Sequence, residues 1–345
     1  MVAPCQRRKK SLFGVKMVKY ILKRLGASIL ILLGVSLILY TLLRCMPTDY
    51  VEQKILALTT GGAEVQADMK QKLYEAYGFD GTILQGYWKW LTNIAHLDFG
   101  TSFISGREVL SEIFSADRLG TSFVVAAIAT VFEFMIAIPL GITAATHQYS
   151  IRDYAVTVLV LIGISLPSFF FGQMLKGIFA LTLEWLPVSG LKDAGITYAN
   201  AGEALIDYLR HMCLPVMTVV ILSIGGRMRM TRTNMLEVLN SDYIRTARAK
   251  GLKESKVIYK HAFRNTMIPI VTGLAGLIPS LFSGAMITES VFDLPGIGSY
   301  ALKAMTQGDI PVIMTYNMFL AALSVLGVLM ADLMYGIVDP RVKLV

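Results

Sequence analysis

Hydrophobic residues in this chain come in long blocks rather than in alternation. The run LGASILILLGVSLILYTLL, Leu25 to Leu43, holds 19 residues without a charge. As a helix rising 1.5 Å per residue it reaches about 29 Å, close to one hydrocarbon core. Further blocks follow at Leu119–Thr146, interrupted by Glu133, and at Tyr154–Leu175, weakening past Lys176 towards Leu183. Three more lie at Met212–Gly226, Thr266–Thr288 and Val312–Ala331, the last extending past Asp332. Each is too long for a buried strand. The pattern predicts an all-α integral membrane protein with six crossings, 1–345 forming a single transmembrane domain.

The polar segments between the blocks test that count. Met1–Arg24 holds eight Lys and Arg and no acid, which places it in the cytoplasm. Counting crossings then puts 147–153, 227–265 and the tail from Asp339 inside as well, so both termini are expected to be cytoplasmic. These four segments carry 21 basic residues; the outer segments 44–118, 184–211 and 289–311 carry 10, beside 17 acids. The alternation supports the short fourth block, because without it the ten basic residues of 227–265 would face the wrong side.

Composition agrees. Charged residues make up 16% of the chain, against about 25% in ordinary soluble domains, and mean hydropathy is +0.58. The net charge of +8 is accounted for by helix orientation, so nucleic acid is not expected as a partner. The first block exceeds the 7–15 residues of a signal-peptide core and no Ala-x-Ala site follows, so it is read as a retained helix. Cys5, Cys45 and Cys213 have no metal or redox spacing and read as free thiols. His96, His147, His211 and His261 are scattered without ligand spacing. No Gly-Lys dipeptide occurs, so the chain has no phosphate-cradling Gly-x-x-x-x-Gly-Lys loop of its own. No cofactor, metal or catalytic residue is expected.

The outer insertion, 47–118, reads as helical pieces joined by glycine-containing turns, with Leu73, Ala76 and Tyr77 at helical spacing before Gly78. Trp88 and Trp90 have two readings: boundary anchors at the membrane surface, or core residues of a small packed cap. The absence of any internal repeat weighs against a secondary carrier built from paired halves.

The segment YIRTARAKGLKESKVIYKHAFRNTMIP, Tyr243 to Pro269, concentrates seven basic residues against one acid. Asp242 can cap a helix beginning at Tyr243, with Tyr243, Ile244 and Ala247 on one face and Arg245, Arg248 and Lys250 elsewhere. Gly251 suits the position after the last turn. A second helix starts near Glu254, buries Val257, Ile258 and Ala262, and ends at Asn265. On composition alone such a loop only sets topology; as a rigid strut joined to a membrane helix it can transmit force.

YIRTARAKGL followed by HAFRN and Pro269 resembles the signature loop of permeases of ATP-binding-cassette importers, in the peptide and nickel branch. The resemblance covers nearly the whole chain. It includes YILKRLGASILILLGVSLILYTLLRCMP, the external Asp98-Phe99-Gly100-Thr101-Ser102, GISLPSFFFG, ESVFDLPGIGSYALKAM, DIPVIM and DLMYGIVDPRVK. Arg245-Thr246-Ala247 stands where the wider class has Glu-Ala-Ala, as the peptide branch tends to have. Met46-Pro47-Thr48-Asp49-Tyr50 departs from the branch's Leu-Pro-Gly-Asp-Pro.

The resemblance implies a type I importer permease fold and a cytoplasmic coupling loop at 227–265. Within it, Asp242, Tyr243, Arg245, Thr246, Ala247, Arg248, Gly251, His261, Arg264 and Asn265 would engage a cytoplasmic ATPase. It further implies a second homologous permease subunit, two ATPase subunits, an extracellular solute-binding protein, and a peptide as substrate. Nickel or another small solute, or an ion-coupled carrier or channel, are the alternatives.

Glu133 is costly within a membrane helix. It reads either as a translocation-path residue or as a bundle-facing carboxyl that is protonated or paired with a neighbour. Ser165, Pro167 and Pro279 are the other path candidates, the prolines interrupting helices three and five. Arg227, Arg229 and Arg232 read as anchors at the inner end of helix four.

Overall fold

The structure, a computed structural model, describes residues 3–45, 81–193, 195–274, 276–283 and 285–338. The expected pieces around Leu73–Gly78, the Met46–Tyr50 turn and the tail from Asp339 lie outside the described residues. In chain order the helices are α1 (Ala3–Arg44), α2 (Ile83–Ala95), α3 (Val109–Ile113), α4 (Ala116–Thr146), α5 (Ile151–Ser165) and α6 (Ser168–Leu175). A π-helical turn, Lys176–Thr182, follows. Then come α7 (Ala201–Leu239), α8 (Asp242–Ala249), α9 (Glu254–Lys256), a π-helical turn Val257–Phe263, and α10 (Arg264–Leu274). The last are α11 (Leu277–Ser283), α12 (Met286–Val291), α13 (Ile297–Gln307) and α14 (Ile310–Val338). Among the described residues there is no strand, only an isolated bridge between Thr101 and Glu108.

Four stretches are long and apolar enough to cross a membrane: Lys23–Arg44, Val109–Thr146 (α3 and α4 together), Ala201–Leu239 and Ile310–Asp332. The pair α5–α6, bent by 101°, is long and apolar enough only when its two helices are taken together. The bend has a local cause. Pro167 lacks an N–H and its ring crowds the preceding turn, which drives Leu166 to extended backbone at ψ 132°. The expected fifth block is carried by three short helices, α10 to α12. The break precedes Pro279, which sits in the first turn of α11, where a missing N–H costs nothing. Four of the six expected crossings are thus met by length in unbent stretches, and the third and fifth blocks are both broken.

The short fourth block proves to be the middle of the 39-residue α7, which continues at both ends into polar sequence. Asn200 caps it, its side chain accepting the Glu203 N–H at 2.9 Å.

The chain forms two compact units. In one, which contains residues 116–300, α7 packs along α4. Gly141 permits this closeness: a Cβ there would stand 2.7 Å from the Thr231 side chain. Small residues at helix contacts are the usual route to tight packing in lipid. The core joins Val125 and Ala129 of α4, Phe171 and Leu175 of α6, and Met212, Leu214 and Val220 of α7 to Phe292 and Leu294.

In the other unit, Tyr40 of α1 meets Tyr87 of α2 and Ile310 and Met314 of α14. The Tyr87 hydroxyl lies 2.8 Å from Ser36 Oγ. Trp90 packs beside Tyr40 and Tyr87, its ring centroid 6.0 Å from each, whereas Trp88 is exposed.

Candidate functional site: the basic loop and its attachment

The loop is built from a polar turn and an apolar underside. α7 stops at Leu239, and the Ser241 hydroxyl donates back to the Val238 carbonyl at 2.6 Å. α8 then begins at Asp242, with Ser241 rather than Asp242 in the capping position. Asp242 instead lies in the first turn, where its negative charge still favours the helix dipole. Eight residues give a rod of about 12 Å.

Its buried side is narrow. Ile244 is fully buried and Ala247 nearly so, three residues apart on one face. They pack against Met235 of α7, Ile142 and Ala145 of α4, and Val257 and Ala262 of the π-helical turn. Tyr243, expected with them, is exposed at 48%. At 100° per residue it lies beside Ile244, beyond the edge of so narrow an apolar stripe. The solvent side therefore presents Asp242, Tyr243, Arg245, Thr246 and Arg248.

Gly251 ends the rod with φ +75°, a left-handed conformation that only glycine adopts without strain. Its N–H donates to the Arg248 carbonyl at 2.9 Å. The turn is then locked from the side. The Arg248 guanidinium contacts Glu254, with Nη2 2.7 Å from Oε1. That hydrogen bond holds the Glu254 carboxyl below its ordinary pKa and raises that of Arg248.

Beyond Glu254 the chain does not stop at Asn265 as its sequence suggests. It passes through the π-helical turn Val257–Phe263 directly into α10. No helix-breaking residue intervenes, and the Asn265 side chain donates to the His261 carbonyl at 2.8 Å, bridging one turn to the next. His261 is half-buried; Arg264 and Asn265 are exposed. Buried Thr266 continues the attachment, its hydroxyl 3.1 Å from the Ala262 carbonyl and 3.2 Å from Met235 Sδ. Rod and turn thus share one apolar core with α4 and α7, and the following helix joins it through Thr266.

Two ion pairs tie α7 to its neighbours. Arg232 binds Asp153 of α5 through two contacts, at 3.0 and 2.8 Å. Arg227 Nε reaches Glu133 Oε1 of α4 at 3.0 Å, its guanidinium lying over the Phe134 ring. Glu133 is therefore a paired carboxyl. Ser165 is exposed and donates to the Leu161 carbonyl; Pro167 is exposed at the helix bend, and Pro279 is half-buried. Among the described residues, no hydrogen bond or ion pair joins Glu133 to these three.

Sequence reading missed two buried carboxylates that hold family-like motifs together. Glu289 is fully buried; it accepts from Ser122 Oγ at 2.7 Å and from the Ala285 and Ser299 N–H groups at 3.2 and 2.9 Å. Asp309 accepts from Ser102 Oγ at 2.5 Å and from the Phe103 and Ile104 N–H groups. The available signal was an acid inside each matched motif, Glu289 in ESVFDLPG and Asp309 in DIPVIM. The structure also brings Asp193, Asp207 and His211 together, although the histidines showed no ligand spacing in isolation.

Comparison with known proteins gives a consistent result. The family described as binding-protein-dependent transport system inner membrane component matches residues 137–344. Its partner family, the N-terminal part of such membrane components, matches 17–136. The oligopeptide transport system permease protein AppB of Bacillus subtilis (strain 168) is 37% identical over 327 residues, covering 95% of this chain and 100% of its own. The dipeptide transport system permease protein DppB of Escherichia coli (strain K12) is 34% identical over 343 residues, covering 95% and 99%. The di/tripeptide transport system permease protein DppB of Pseudomonas aeruginosa (strain UCBPP-PA14) is 31% identical over 340 residues, with the same coverage.

Proposed function

This chain belongs to the binding-protein-dependent transport system inner membrane components, and from that premise we propose that it is a permease subunit of an ATP-driven peptide importer. It is a multi-pass membrane protein that performs no bond chemistry; ATP is hydrolysed by separate subunits. The relatives named for oligopeptide, dipeptide and di/tripeptide transport support peptides over nickel or an ion-coupled route.

The observation that carries the mechanism is the attachment of α8. Its apolar face is packed into α4 and α7 through Ile244 and Ala247, while Tyr243, Arg245 and Thr246 face outward. A rod held this way moves with the helices beneath it, because packed cores shift as discrete bodies rather than deforming continuously. In the proposed assembly a second homologous permease lies alongside, two ATPases grip the α8 rods from the cytoplasm, and an external binding protein delivers peptide. Closure of the ATPases draws the rods together and opens the pathway outward; hydrolysis resets it. Both termini are cytoplasmic in this reading, 47–118 is external, and 227–265 is the coupling loop. Within that loop Gly251 sets the exit of the rod, while His261, Arg264 and Asn265 extend its docking surface. Ser165, Pro167 and Pro279 contribute to the pathway at breaks in the helices, with Glu133 beside it.

The test is uptake by the assembled complex in proteoliposomes, with ATP inside and binding protein outside. Labelled di- and tripeptides are expected to accumulate and nickel not. Accumulation of nickel without peptide, or of peptide without ATP, overturns the proposal.

A further inference from the structure

The geometry points to a divalent-metal site of the zinc class formed by Asp193, Asp207 and His211, pinning the loop before α7 to that helix. One donor atom from each residue lies within 4.8 Å of the other two. Asp207 and His211 are one turn apart on α7, the spacing at which two side chains project from the same face. Asp193 reaches them from the preceding loop.

Two features separate this group from an incidental cluster. The first is the orientation of the imidazole. Its side chain is 2% exposed, and Nδ1 lies 2.9 Å from the Asp207 main-chain carbonyl, an acceptor only. In the neutral ring that contact puts the proton on Nδ1 and the lone pair on Nε2. Nε2 stands 3.7 Å from Asp193 Oδ1, too far for a hydrogen bond. Two electron-rich atoms thus face each other beside a buried ring. A cation bonded to both, at about 2.0–2.2 Å from each, suits that separation after a small closure of the exposed Asp193 side chain.

The second is the outer support. Asp207 Oδ2 is held by the Tyr198 hydroxyl at 2.6 Å and the Asp193 N–H at 3.0 Å, leaving Oδ1, 3.4 Å from His211 Nδ1, as its oxygen without a hydrogen bond. A histidine donating its far N–H to a carbonyl, and a carboxylate fixed through its second oxygen, are the arrangements that orient metal ligands. One nitrogen and two carboxylate oxygens leave room for water as a fourth ligand. The metal would fasten the 184–200 loop at Asp193.

The experiment uses the full chain, without an affinity tag of histidines and purified with its partner subunits, stripped by chelator and titrated with zinc. Bound metal is counted by elemental analysis and affinity read by competition with a chromogenic chelator. Wild type is expected to hold one more zinc per copy than His211→Asn. Asp193→Asn, which alters only an exposed loop side chain, is expected to bind at least tenfold more weakly. Cobalt in place of zinc is expected to give a visible d–d band in wild type alone. Equal zinc content in wild type and both variants, or no zinc bound by wild type, overturns the site.

Discussion

Arg232 holds both carboxylate oxygens of Asp153, Nε to Oδ1 at 3.0 Å and Nη2 to Oδ2 at 2.8 Å, joining the first turn of α5 to the C-terminal part of α7. The Asp153 side chain is 5% exposed, so removing its partner strands a buried charge. Arg232→Ala is expected to cost about 3 kcal/mol, the low end for buried pairs because Arg232 is itself partly exposed. Thermal unfolding in detergent checks this. Asp153→Asn combined with Arg232→Ala is expected to be less destabilised than the sum of the single changes.

Arg248 and Glu254 close the turn after α8 but are both about half-exposed. Their contribution is therefore under about 1 kcal/mol. Its sign with pH follows from the lowered Glu254 pKa: the stabilisation is present above the ordinary carboxylate range and is lost as pH falls through the folded-state value. The stability gap between wild type and Glu254→Gln is expected to be measurable at pH 7 and to close in acid. A gap that widens in acid contradicts the pairing.

Gly251→Pro removes the N–H that bonds the Arg248 carbonyl and forces φ from +75° to about −65°. Transport by the assembled complex is expected to be lost while membrane insertion persists. Arg245→Glu reverses a solvent-facing charge without touching the apolar side of α8, and is expected to uncouple ATP hydrolysis from uptake. Arg248→Glu also breaks the Glu254 contact, so Glu254→Arg is added to restore the turn; the pair is expected to fold but remain uncoupled. Wild-type uptake and ATPase stimulation in these variants would count against docking through α8.

Glu133→Gln leaves Arg227 without its carboxylate partner. Because the Glu133 carboxylate is engaged by Arg227, the change is expected to lower the unfolding temperature and spare the peptide concentration giving half-maximal uptake. A shift in that concentration at unchanged stability would assign Glu133 to substrate contact.

The sequence alone determined the membrane class, the alternation of basic and acidic segments, and the rod with its glycine exit. These are local properties, set by runs of apolar residues, side-chain charge and the conformational freedom of one residue. Ile244 and Ala247 could be read as the buried face because helical periodicity spans only a few positions. Tertiary structure decided what those elements hold on to. Asp153 meets Arg232 across 79 positions, Ser122 meets Glu289 across 167, and Ser102 meets Asp309 across 207. A carboxylate's partner depends on which helices pack together, and a solitary acid in the sequence carries no record of it. The break at Leu166–Pro167 was visible in one residue; the length of α7 was not, because its polar ends are stabilised by neighbours rather than by their own hydrophobicity.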